Sequence, residues 1–150
     1  MPSTSFHLLP AMERDYCMSI AVRAGDLVFI GGLTAVDASG NELHHDDAAL
    51  QFKVVYEQMG RILAAHGGSA ADVVSETIYY SCTGEEYSER LFPHRKEFYR
   101  DCDGPSVAGV QVAGFISAAI RVEVTCVAHI PKGRPASATS PFHIERQDQQ

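Results

Sequence analysis

Apolar and polar positions alternate with period two over VEVTCVA, residues 122–128. Val122, Val124, Cys126 and Ala128 fall on one side of the chain, and Glu123, Thr125 and Val127 on the other. The pattern predicts a strand within 118–130 that buries one face and carries a single carboxylate, Glu123, on the opposite one. CMSIAVRAGDLVFIG reads as two short strands, 17–23 and 27–31, joined by the turn Arg23-Ala24-Gly25-Asp26. Phe52, Val55, Met59, Ile62 and His66 then recur at spacings of three and four, the apolar stripe of a helix that Asp46 or Asp47 caps and Gly67-Gly68 stops. VVSETIYYS, 73–81, is β-branched and aromatic and predicts a strand directly after that helix. Thr83-x-x-Glu86 resembles a capping box, but a proline deep in a helix costs about 3 kcal/mol. A short irregular turn followed by a helix over about 90–101, with Pro93 in its first turn, accommodates both. VAGVQVAGF, 107–115, precedes the last strand.

The resulting order, β-β-α-β-α-β-β, describes an α+β domain with one mixed sheet and two helices on one face. LVFIG and VEVTCVA carry apolar residues on both faces, so the sheet face without helices is expected to pack against other subunits. One domain spans 1–150, with its core at about 17–130; residues 1–14 and 131–150, rich in proline, serine and polar residues, read as loose arms.

Charge and composition narrow the partners. A net charge of −7, with three scattered lysines, Lys53, Lys96 and Lys132, lacks the clustered cations a nucleic-acid surface needs. MPSTSFHLLPAMERDY has neither a basic leader nor a sustained apolar stretch, so the expectation is a cytoplasmic protein with no membrane association. Cys17, Cys82, Cys102 and Cys126 have no C-x-x-C spacing and read as thiols. In His44-His45-Asp46-Asp47 the adjacent histidines share no face, so the stretch is read as a helix cap and no metal site is assigned.

On pattern alone, the simplest reading of Glu123 is a solvated strand carboxylate, free or paired with Arg121 two residues earlier. Cys126 points to the opposite face and reads as buried and inert. Cys17 and Cys82, placed at strand ends, have no identifiable base for a nucleophilic role. His94, on the second helix, and His129, at a strand end, read as structural or solvated.

GDLVFIGG at 25–32, Gln51 early in the first helix, GGSAADVVSETIYY at 67–80, Pro105 and VEVTCVA at 122–128 together resemble the Rid family of reactive intermediate deaminases, also called YjgF. The resemblance runs in order from about 17 to 130. It implies a chorismate-mutase-like fold and a homotrimer with its sheets inside and three clefts between subunits. Typical members hydrolyse enamines and imines released by pyridoxal-phosphate enzymes, giving a 2-oxo acid and ammonia without a cofactor of their own. In them a Pro-x-Arg grips the substrate carboxylate, and a strand glutamate aligned with Glu123 positions or activates water.

This chain departs from that pattern. Pro105-Ser106-Val107 places Val107 at the arginine position, and Gly109 stands where the family often has Cys or Thr. Gly31-Gly32 aligns with a serine-glycine, Leu91 falls near an expected asparagine, and Met18 aligns with a tyrosine, with Tyr16 close by. The resemblance thus implies a pocket without its anion clamp but with its acid/base, Glu123. Arg121 reads either as a surface ion-pair partner or as a clamp approaching from another direction. Two functions stay open: a cofactor-free enzyme acting on an imine, enamine or related intermediate by hydrolysis, tautomerisation or cyclisation, and a non-catalytic metabolite-binding or protein-interaction member of the same fold.

Overall fold

The computed structural model describes residues 3–136. Strand β1 is Ser3–Phe6, β2 Ala21–Ala24, β3 Leu27–Leu33, β4 Val73–Tyr80, β5 Ser106–Gln111 and β6 Val122–His129. They form one six-stranded mixed sheet in the order β1-β2-β3-β6-β4-β5. Only β4 and β5 run parallel; every other neighbouring pair is antiparallel. The last strand in sequence is therefore inserted at the centre, and the carboxylate it carries sits in the middle of the sheet rather than at a rim. The expected α+β architecture is the one found.

Helix α1 is Pro10–Asp15 and α2 is Ala48–Ala65. Asp47 caps α2 by accepting from the Ala49 and Leu50 amides, worth about 1 kcal/mol. The predicted stripe of α2 is the packed one: Phe52, Val55, Met59 and Ile62 have no exposed surface and meet Val122, Val124, Cys126 and Ala128 in one apolar core. Among the described residues no helix is long and apolar enough to cross a membrane.

Three expectations are corrected. The N-terminal segment is not a loose arm: β1 pairs with β2, and the buried Glu13 of α1 accepts from the Leu8, Leu9 and Ile20 amides and from His7 Nδ1. These contacts connect residues far apart in pattern, and Cys17, at φ 53°, turns the chain so that β2 begins only at Ala21. Cys17 is thus in a turn, not at a strand end. Nor are residues 131–136 loose, since the Lys132 amide donates to Asp26 and Arg134 pairs with Asp72; the rest of that expected arm, 137–150, lies outside the described residues.

The third correction concerns Pro93. No irregular turn precedes its helix. Thr83 accepts from the Glu86 amide and starts α3, Gly84–Glu86; a π-helical turn, Tyr87–Leu91, follows and leads into α4, Phe92–Phe98, with Pro93 in its first turn. The wider π turn also rotates Leu91 into the core, where it has no exposed surface.

Candidate functional site

The sheet register decides which candidate residues meet. Across the sheet, Glu123 lies beside Tyr79, which lies beside Val110; Thr125 lies beside Thr77 and Ala108. These residues, with Phe29 and Val127, form the face that α2 and α4 do not cover. Phe29 is 45% and Val110 38% exposed, so the face is apolar and open within one protomer. Val107 pairs with Glu76 and Gly109 with Ile78, which puts both on the helix-side face of edge strand β5. Within one chain, Val107 and Gly109 cannot share a pocket with Glu123. Leu91 is excluded by burial.

Glu123 is half-buried on the open face. A bulge between Ile30 and Leu33 displaces Gly31-Gly32 from the ladder opposite β6. The Glu123 carboxyl folds over that bulge. A Cβ at position 32 would lie 2.7 Å from Glu123 Cδ and nearer still to Oε1, so a side chain there would displace the carboxyl from this position. Gly31, whose amide donates to Ile20 O at 2.8 Å, fixes the bulge to the loop that follows Met18. Among the described residues nothing donates a hydrogen bond to the Glu123 carboxylate and no cation pairs with it. Burial alone pushes its carboxyl above the ordinary value. A half-buried, unpaired carboxylate on an apolar face can take and return a proton.

Arg121, the residue just before β6, is two positions from Glu123. They form no ion pair. Arg121 Nε donates to Ser81 Oγ at 3.1 Å, and its main chain is held on both sides: its amide donates to Gln51 Oε1 at 2.8 Å, and its carbonyl accepts from the Ser81 amide at 3.0 Å. Beside it the β5–β6 loop encloses an open cleft of about 490 Å³, lined by Ser81, Phe115, Ser117, Ile120 and Arg121 among others. Gln51, buried in α2, also donates to Ala119 O at 2.6 Å and to the Leu43 and His44 carbonyls, so one amide side chain pins this loop to the helix layer. Tyr16 is 68% exposed at the end of α1, and Met18, 38% exposed, lies in the turn after it. Both project into solvent, without a hydrogen bond from either side chain among the described residues.

The residue reading missed a second carboxylate. Glu76 is fully buried between the sheet and the helices, where Tyr56 and Tyr99 donate to Oε1 at 2.8 and 3.1 Å and Arg95 Nε to Oε2 at 2.8 Å. Burial, and then the Glu76 charge, push both tyrosine hydroxyls far above their ordinary range. Arg95 Nη2 is buried in this network without a partner among the described residues. Cys126 is buried as expected, its thiol pushed up to about 12 by burial, and Cys82 is buried too. His94 is on α4 and His129 ends β6, exposed.

The model of the endoribonuclease L-PSP family matches residues 9–130. The 3-aminoacrylate deaminase RutC of Acinetobacter baylyi (strain ATCC 33305 / BD413 / ADP1) is 29% identical over 116 residues, which are 73% of this chain and 84% of RutC. Among solved structures, Rv2704 of Mycobacterium tuberculosis, a member of the YjgF/YER057c/UK114 family, superposes with a TM-score of 0.72 at 23% identity, covering 86% of this chain and all of that one. RidA from the Antarctic bacterium Psychrobacter sp. PAMC 21119 superposes with a TM-score of 0.66 at 28% identity, over 75% of this chain and 87% of its own.

Proposed function

The chain belongs to the endoribonuclease L-PSP family, also known as the YjgF/YER057c/UK114 or Rid family, and from that premise we propose that it is a cofactor-free enzyme that hydrolyses an imine or its enamine tautomer, with Glu123 as acid and base. The observation that carries this reading is the Glu123 carboxylate: half-buried, unpaired, raised in pKa by burial, and folded over Gly32, where any side chain would push it aside. The deaminase activity in RutC's name gives the reaction class.

In the proposed step the substrate is the protonated imine: Glu123 takes a proton from water as the water oxygen attacks its carbon, and the C=N electron pair moves to nitrogen to give a neutral carbinolamine. The Glu123 carboxyl returns its proton to nitrogen, and the carbinolamine then collapses: the carboxylate takes the hydroxyl proton as the C–N bond breaks and the carbonyl forms, and passes it to the departing ammonia. One protonated imine and one water give one carbonyl compound and one ammonium. A homotrimer completes the site in this reading. The open sheet face of one subunit would be covered by the next, which would bring Val107 and Gly109 of one protomer toward Glu123 of another, with Tyr16 and Met18 at the rim. Val107 offers no cation to a substrate carboxylate, so the substrate is anchored differently from that of an arginine-bearing relative.

The test is ammonia release from imines generated in situ, against a no-enzyme control. Glu123→Gln should lower kcat by at least a hundredfold, the range of one general acid/base, while sparing binding. Turnover of 2-aminoacrylate should be slow in the wild type. A Glu123→Gln protein that changes only ligand affinity, in a wild type without turnover, would replace the enzyme with a metabolite-binding protein.

A further inference from the structure

We propose that Glu13 is a positioning residue for Glu123: its buried carboxylate fixes Ile20, Ile20 fixes the Gly31-Gly32 bulge, and the Glu123 carboxyl lies on that bulge. This rests on the reading of Glu123 as acid and base, and adds a second carboxylate that acts on the first without touching the substrate.

Glu13 is 1% exposed, and its carboxylate is met by backbone amides and one imidazole instead of a lysine or arginine. The Leu8 and Leu9 amides donate to Oε1, each at 2.7 Å; the Ile20 amide, at 3.0 Å, and His7 Nδ1, at 2.7 Å, donate to Oε2. One carboxylate therefore ties the chain before α1 to the chain that enters β2. Between these two points lies Cys17, a non-glycine residue in the left-handed region at φ 53°. Such a conformation persists where the surroundings hold it. Glu13 does so from both ends of the residue, since its carbonyl also accepts from the Met18 amide at 2.8 Å. A carboxylate buried without a cation is an unfavourable way to fill a core, and an apolar side chain of that size would leave the Ile20 amide without its acceptor.

From Ile20 the tie continues into the sheet. Its carbonyl accepts from the Gly31 amide at 2.8 Å, where the β3–β6 register breaks between Ile30 and Leu33. The next residue, Gly32, is the one the Glu123 carboxyl lies against. Two hydrogen bonds, Glu13 to Ile20 and Ile20 to Gly31, thus lead from the buried carboxylate to the bulge. A shift of the bulge changes how far the Glu123 carboxyl stays out of water, and burial is what raises its pKa.

The test reads Glu123 directly, by carbon-13 NMR of the glutamate carboxyls across pH, with Glu123→Gln identifying its signal. Glu13→Gln keeps the size of the side chain but sets an NH2 group against the Leu8 and Leu9 amides or against Ile20, whichever way the amide is turned. It should bring the Glu123 midpoint down toward the ordinary 4.5. Val55→Ala, which opens a cavity in the α2 core away from this path, should leave the midpoint at the wild-type value. Where an imine is turned over, Glu13→Gln should lower kcat by about tenfold or more with KM within about twofold, and the acid limb of the pH profile should move with the NMR midpoint. The wild type supplies a check without substitution: the Ile20 and Gly31 amides should both exchange slowly with deuterium, and fast exchange at either would break the tie and overturn the role even where Glu13→Gln fails to fold. A folded Glu13→Gln protein with the wild-type Glu123 midpoint would overturn it too, and unchanged turnover in that protein would keep the enzyme. An equal fall in Val55→Ala would assign the shift to general loosening and overturn the role. A midpoint lowered in Glu13→Gln alone, in a protein that turns over no imine, would support the positioning and remove the catalytic reading.

Discussion

At Glu123 the proposed acid/base role and a stability cost meet in one side chain. Burial without a donor holds its carboxyl above the ordinary value of 4.5, so the folded protein keeps this proton to a higher pH than the unfolded chain does. Between those two values the folded state binds more protons, and its stability falls as pH rises through that window. Above the window the folded protein carries an unpaired charge in a poorly solvated place. Glu123→Gln is therefore expected to raise Tm at pH 7, with the gain shrinking to nothing as pH falls below 4.5, as read by calorimetry across pH. A variant melting lower than wild type at pH 7 would show that a partner stabilises the carboxylate. The face of this residue was legible in the sequence because β6 alternates without interruption from Val122 to Ala128; its partial burial, over the bulge at Gly31-Gly32, was not. Glu76 was not legible, because the bulge between Val73 and Ser75 resets the phase of β4 and moves a carboxylate into the apolar series with Ile78. A glutamate two residues before an isoleucine in a strand was the available signal.

Elements position the site through a few long-range polar ties. Gln51 joins α2 to the β5–β6 loop by bonding Ala119 and Arg121, and to the loop before α2 through Leu43 and His44. Gln51→Ala would strand several of these groups at once. At about 1–3 kcal/mol per buried unsatisfied group, partly relieved by water, a loss of about 2–4 kcal/mol is expected in urea denaturation. Faster amide exchange confined to 112–121 should accompany it. A variant as stable as wild type, with unchanged exchange in that loop, would show that the loop holds itself. The helix α2 and the central strands were readable from periodicity. The π turn before α4 was not, since it shifts the phase of Leu91 without any change in composition. Nor does a strand's own pattern say which neighbour it joins: the placement of Val107 and Gly109 opposite Glu123 emerges only from the parallel register of β5 against β4.

For the whole molecule, the open sheet face is the largest unfinished feature. Phe29, Val127 and Val110 on it are the kind of surface a soluble domain covers, and three copies closing on one another fit both the face and the family. Light scattering should give about 49 kDa, three times 16.3 kDa; a stable monomer would remove the shared cleft and with it the role of Val107. At the opposite edge of the sheet the first strand has a different consequence. β1 occupies the hydrogen-bonding edge of β2, and its outer residues Ser3, Thr4 and Ser5 are exposed and polar. Those residues make a poor template for further pairing, whereas the strand beneath them, AVRA beside LVFIGGL, would make a good one. The N-terminal segment thus shields that strand, and a variant trimmed to begin at the hairpin is expected to lose solubility, as read by the soluble fraction on expression.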